Sequence, residues 1–129
     1  MISRSQRGFT LIELLIVISM MLIMLSFAIP MYKQSIVKAR ETALKDDLFT
    51  LRRTIDEFTY DRKRAPQSLD ELVQTGYLKQ IPKDPITNAP NWDPTMETDV
   101  LSEGVEIGIA DIHSHSDLLS TQGTAYSSW

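Results

Sequence analysis

The chain has 129 residues, 43% of them apolar and 23% charged, with 13 Lys and Arg against 17 Asp and Glu for a formal net charge of −4. That length suits one domain and rules out two independent soluble ones, and the acidic balance leaves no basic footprint for nucleic acid. Cysteine is absent, which excludes disulfides, thiolate zinc sites, iron–sulfur clusters and cysteine nucleophiles. The average composition hides a lopsided distribution, because one segment near the start holds almost no charge.

Residues 1–8 (MISRSQRG) are polar and carry Arg4 and Arg7. They run directly into Phe9–Ile29, an apolar stretch whose one charged side chain is Glu13. A helix of that length spans roughly 30 Å, the thickness of a bilayer's hydrocarbon core. Positive charge retained on the cytoplasmic side keeps Arg4 and Arg7 inside and places the chain beyond Ile29 outside or in the periplasm. Glu13 is the anomaly: a carboxylate in an apolar span costs about 2.5–3.5 kcal/mol and needs a named partner. It has two readings. Close to Gly8 it can sit at headgroup level with little consequence. Alternatively, cleavage between Gly8 and Phe9 creates a new α-amino group that a neighbouring subunit's Glu13 neutralises, so that two costly groups cancel across an interface. Pro30 removes one helical hydrogen bond and clashes with the preceding turn, which predicts a bend or local melting near Ser26.

Gly8-Phe9-Thr10-Leu11-Ile12-Glu13, the unbroken apolar run and then Pro30 resemble the class III leader and N-terminal helix of type IV pilins and type II secretion pseudopilins. The resemblance implies that prepilin peptidase cuts after Gly8 and N-methylates Phe9. It implies further that Glu13, fifth in the mature chain, registers subunits during filament assembly, and that Pro30 lies where the family's helix kinks. The competing reading is an ordinary signal peptide cut at Ser26-Phe27-Ala28. It fits less well, since its apolar core would exceed the usual 7–15 residues and contain Glu13.

Between Met31 and Arg64 there is no Gly or Pro, and Val37, Leu44, Leu48, Leu51, Ile55 and Phe58 recur at helical steps. Charges fill the other faces, so one stripe packs and the rest is wet. The stripe suits either the protein's own sheet or a coiled-coil partner, and barely three heptads favour the sheet. With the apolar segment this predicts one long helix over 9–61. Arg62-Lys63-Arg64 before Ala65-Pro66 ends it, the cations favouring the helix C-terminus, although a contact with anionic lipid or a partner is the other reading. Ser68-Leu-Asp-Glu71 is a capping box that opens a helix over 68–75, with Gly76 as its terminator.

Four prolines at 82, 85, 90 and 94 exclude regular structure over most of 77–94. Here the likeness narrows to the major, G-like pseudopilins of type II secretion, carried by SLDELVQTGYL followed by IPKDPITNAP. Strands are predicted over 92–98 and 105–109, the second alternating Val105, Ile107, Ile109. Two or three antiparallel strands against the stem helix form the expected body, and so small a sheet needs the helix to cover it.

From Asp111 to Trp129 the chain is rich in oxygen donors, which predicts a surface loop needing a tie. Calcium takes six to eight oxygens; Asp111, Ser114, Ser116, Asp117 and Ser120 offer several. The resemblance also implies calcium in this loop, though not which residues hold it: the spacing is not an EF-hand, and Asp111, Ser114 and Asp117 are the candidate ligands read from the residues themselves. The alternative is polar turn residues, with Asp111 and Asp117 capping backbone amides. His113 and His115 alternate, so on a strand they point the same way, a transition-metal pair without an evident third ligand. Asp111, His113 and Ser114 are triad residue types, but no nucleophile elbow or oxyanion glycine loop accompanies them. Nor is there a phosphate-binding glycine loop, so energy for assembly must come from another protein. Tyr126 and Trp129 are expected to close the core.

The expectation is an α+β, pilin-like chain: a leader over 1–8, a transmembrane and filament-core helix over 9–30, and a periplasmic domain over 31–129 with an amphipathic helix over 31–64. The resemblance implies a structural, non-enzymatic subunit of a type II secretion pseudopilus. Such a subunit is single-pass in the bacterial inner membrane and assembles into a helical homo-oligomer. Its partners are prepilin peptidase, the assembly platform and minor pseudopilins. A type IV pilus or competence pseudopilus subunit is the nearest alternative; a released soluble binding protein and an anchored hydrolase using His113 come from other classes.

Overall fold

A computed structural model describes residues 8–98 and 107–129; Arg4, Arg7 and Val105 lie outside the described residues. The order of elements is α1 (Leu11–Arg62), α2 (Leu69–Gln74), β1 (Trp92–Thr98), β2 (Ile107–Ser114) and a short 3-10 turn (Tyr126–Ser128). Two compact units divide the chain after Ile36.

In the first unit every described residue is exposed, including Leu11, Met20, Met24 and Phe27. The chain is helical from Leu11 onward and long and apolar enough to cross a membrane by length and composition. Contrary to the predicted melting, it stays helical through Pro30. Pro30 has no N–H, so one carbonyl loses its usual donor. The hydroxyls of Ser19 and Ser26 donate to Leu15 O and Ile23 O, both at 2.7 Å, so these polar side chains find partners on their own helix.

In the second unit, α1 buries Leu44, Leu48, Leu51, Ile55 and Phe58 in one cluster with Leu72 of α2, Trp92 of β1, Ile109 and Ile112 of β2, and Tyr126. The apolar stripe therefore covers the protein's own sheet. Val37 stays exposed instead, and Glu41 and Thr54 take places on the buried face. The helix ends when Lys63 turns left-handed (φ 57) and its N–H returns to Thr59 O at 2.9 Å. Arg64 folds over the Phe58 ring at 5.2 Å and pairs with Glu71. Ser68 caps α2 by accepting from Glu71 N at 3.2 Å. The return arm of the box goes one residue further back, Gln67 N donating to Glu71 at 2.9 Å. Gly76 at φ +84 closes the helix as expected, a backbone conformation only glycine adopts freely.

The proline-rich segment is an irregular loop built on Asp84, whose carboxylate is wholly buried. It accepts from Ile86 N at 2.7 Å and from the Ser114 hydroxyl. Its own N–H donates to Ala89 O, and Asn88, left-handed at φ 57, returns its N–H to Asp84 O. Trp92 Nε1 donates to Pro82 O at 2.8 Å, so the loop is pinned to the start of β1.

β1 and β2 are antiparallel, from Trp92 opposite Ser114 to Thr98 opposite Ile107, with a bulge between Thr95 and Met96. The predicted second strand stopped at Ile109; β2 instead runs on to Ser114. The bulge explains the difference. It slips the alternation by one residue, so that the inward set becomes Ile109, Ile112 and Ser114 and the period-two pattern breaks at Ala110. Asp111 to Ser114 thus belong to the sheet and not to a surface loop. On its other edge β2 bonds Ile109 N to Pro66 O at 2.8 Å, and a Cβ at Gly108 would collide with the Cβ of Ala65 and lie 3.0 Å from its carbonyl oxygen. Gly108→Ala is expected to cost about 1–3 kcal/mol by overpacking, seen as an earlier urea midpoint with an unchanged slope.

Candidate functional site

The N-terminal site is built by local rules. Phe9 is 84% exposed and precedes the helix. Thr10 caps it: Glu13 N lies 3.3 Å from Thr10 Oγ1, and Leu14 N donates to Thr10 O. The junction between Gly8 and Phe9 is therefore non-helical backbone in open surroundings, the kind of segment a protease can take into its cleft. Glu13 stands in the first turn, where its charge complements the exposed amides and the positive end of the helix dipole. Thr10-Leu-Ile-Glu13 has the spacing of a capping box, a local role for Glu13 that its reading as a membrane charge does not include.

The C-terminal residues are arranged differently from their predicted roles. Asp111 is held by Arg52, whose Nε donates at 2.7 Å while Nη2 reaches Ile112 O at 3.0 Å and Trp129 O at 2.8 Å. Burial raises the Asp111 pKa, but the Ile112 amide and Arg52 outweigh it and hold the carboxyl below its usual range. Ser114 faces the opposite side of the sheet, bonded to buried Asp84. Asp111, Ser114 and Asp117 are thus not brought together. Among the described residues no three His, Cys, Asp or Glu side chains form a metal-holding group. The loop's hydroxyls serve its own backbone: Ser116 accepts from Leu118 N, and Ser120 from Gln122 N. Four of the five side chains that could offer calcium oxygens, Asp111, Ser114, Ser116 and Ser120, are thus already engaged by an arginine, an aspartate or backbone amides, a poor fit to an ion that gathers six to eight oxygens.

His113 and His115 take different partners. His113 Nδ1 lies 2.6 Å from Trp129 O, with Nε2 3.5 Å from Asp111; neither contact is a hydroxyl nucleophile. His115 lies beyond the end of β2 and bonds Asp93 at 2.8 Å, which raises the imidazole pKa. Tyr126 is buried, and Trp129 packs edge-on against it at 5.2 Å with Lys45 Nζ over its indole at 4.6 Å, so both aromatics close the core as expected.

The residue that sequence reading missed is Glu41, 6% exposed on the buried stripe of α1. Thr121 N donates to it at 2.7 Å, Thr121 Oγ1 at 2.6 Å and Tyr126 Oη at 2.9 Å. Burial pushes its pKa up, but these three bonds and the Lys45 ammonium prevail and hold it low. The signal was its spacing: Glu41 precedes Leu44 and Leu48 by three and seven residues, on the apolar face.

A long apolar helix continuing into a stem that packs on a two-stranded antiparallel sheet defines an α+β, pilin-like protein. Residues 3–29 match the family described as the prokaryotic N-terminal methylation motif. Type II secretion system core protein G of Klebsiella michiganensis is 32% identical over 98 residues, 64% of this chain and 69% of the relative. The protein of the same name from Aeromonas hydrophila is 32% identical over 101 residues, 66% and 71%, and that from Vibrio cholerae 31% over 100, 66% and 68%. The chain belongs to the type II secretion system core protein G family. No solved structure matches it.

Proposed function

We propose that this protein is a structural subunit of a type II secretion pseudopilus, held in the bacterial inner membrane by its apolar helix before assembly. The observation that carries this reading is the first unit: the large apolar side chains from Leu11 to Ile29 are exposed, led by the Gly8–Phe9 junction, and the one charge among them is Glu13. Lipid covers such a helix before assembly, and the helices of identical neighbours cover it afterwards, so its apolar surroundings are preserved on extraction. Cleavage after Gly8 by prepilin peptidase removes residues 1–8, and the N-methylated Phe9 amine of one subunit meets Glu13 of another. Residues 9–30 form the filament core, Pro30 gives that helix its kink, and the domain over 31–129 lies in the periplasm. The subunit performs no chemistry of its own. An assembly platform supplies the work and minor pseudopilins begin the filament.

The test is the intact mass and N-terminal residue of the membrane-extracted protein. A chain beginning at Phe9 and heavier by one methyl group is expected. Cleavage after Ala28 would overturn the reading, since it removes Glu13 and the apolar helix together and releases a soluble domain.

A further inference from the structure

Major pseudopilins, by the resemblance above, tie their C-terminal loop with calcium, and the residues available here do not fit that ion. From Asp111 to Trp129 the acidic side chains are Asp111 and Asp117 alone, and Asp111 is committed to Arg52. Yet the loop is closed. Leu119 bridges Ala125, Ser120 N donates to Thr124 O at 2.7 Å, Gly123 turns at φ +82, and Tyr126 N donates to Leu118 O at 3.0 Å. The tip of this turn, Thr121, points an N–H and an O–H at the same carboxylate that Tyr126 reaches from the other side.

We propose that the Glu41 carboxylate fastens this loop to the stem helix and takes the place of calcium, so that the fold of the subunit is independent of the ion. The polarity of the tie is reversed. A cation gathers a loop by its oxygens; here an anion gathers it by its hydrogens, in charge-assisted bonds that are about twice as strong as neutral ones. Of the oxygens the loop could offer a cation, Asp111 is paired with Arg52 and Ser116 and Ser120 accept from backbone amides, whereas its donors converge on Glu41. Placement on α1 also explains why a charged side chain occupies the apolar stripe: at Glu41 the stripe meets the donors of Thr121 and Tyr126.

The experiment is thermal melting of the full-length chain in detergent, with calcium chloride or with EGTA, for the native protein and for Glu41→Gln, Thr121→Val and Tyr126→Phe. Native melting temperature is expected to be the same in both media. Glu41→Gln, which puts an amide where three donors converge, is expected to lower it by about 5–10 °C in both. Thr121→Val removes one donor without opening the core and is expected to lower it by a smaller amount, so the test stands even if Glu41→Gln does not fold. A second readout is pH. Glu41 faces Lys45 of its own helix and Tyr126 of the tail, and neither changes charge in acid. Because its folded pKa is lowered, its contribution is full above the ordinary carboxylate range near 4.3 and is lost as pH falls through the folded value. The gap between native and Glu41→Gln should therefore close in acid. A native protein stabilised by calcium chloride, or a Thr121→Val protein that melts with the native one, overturns the proposal. The inference rests on the family reading only for the expectation of calcium; a wrong N-terminus would defeat the proposed function and leave these melting curves untouched.

Discussion

Glu13→Ala is expected to give a subunit that inserts and is cut after Gly8, yet fails to assemble. Removing the carboxylate makes membrane insertion easier, since the charge there is costly. In the filament the balance reverses. The amine of Phe9, once surrounded by apolar helices, loses its counter-charge, and an uncompensated buried charge costs about 3–5 kcal/mol, or roughly a hundred- to several-thousandfold in each association constant. Growth repeats that loss at every added subunit. The measurement is sheared or cross-linked filament against membrane-retained subunit, read beside the N-terminal residue. Glu13→Asp, which keeps the charge on a shorter arm, should recover part of the assembly. Normal filaments from Glu13→Ala would show that Glu13 serves only the first turn of α1, where Thr10 caps the helix.

Phe58→Ala is expected to have the largest effect on the folded domain. Its side chain is fully buried in the cluster that joins the stem to Leu72. It meets the Tyr77 ring edge-on at 5.3 Å and lies under the Arg64 guanidinium at 5.2 Å. Truncation therefore removes a transfer contribution, leaves a cavity and takes the partner from an aromatic pair and a cation, about 3–5 kcal/mol in all. That is a large share of the stability of a domain this size. The second unit holds only two short strands among the described residues, and the stem is what covers them, so the loss should unfold sheet and stem together. Urea unfolding followed by circular dichroism and by the fluorescence of Trp92 and Trp129 checks this. Coincident transitions at a much lower midpoint are the expected result; a sheet that melts apart from the stem would contradict the single-core account.

Much was legible because it is local. The Gly8–Phe9 motif, the apolar run, the stripe from Leu44 to Phe58, the Ser68 cap, the Gly76 stop and the first strand are all written at spacings of a few residues, where capping and periodicity act. The candidate site was legible at its N-terminal end for the same reason. The errors fell where partners are distant or the period breaks. One bulge at Ala110 shifts the alternation and lets β2 run on through Asp111 to Ser114, and the odd spacing of Asp111 and Ser114 then sets them on opposite faces.

Sequence alone thus determined the apolar helix and its processing motif, the amphipathic stem and the α+β class, since backbone hydrogen bonding and side-chain period are properties of neighbouring residues. The tertiary structure decided which charges are structural. Asp84 joins a residue 30 positions away and Glu41 joins residues 80 and 85 positions away. A carboxylate's role is set by the groups that folding brings against it once water is removed, and no local spacing records that.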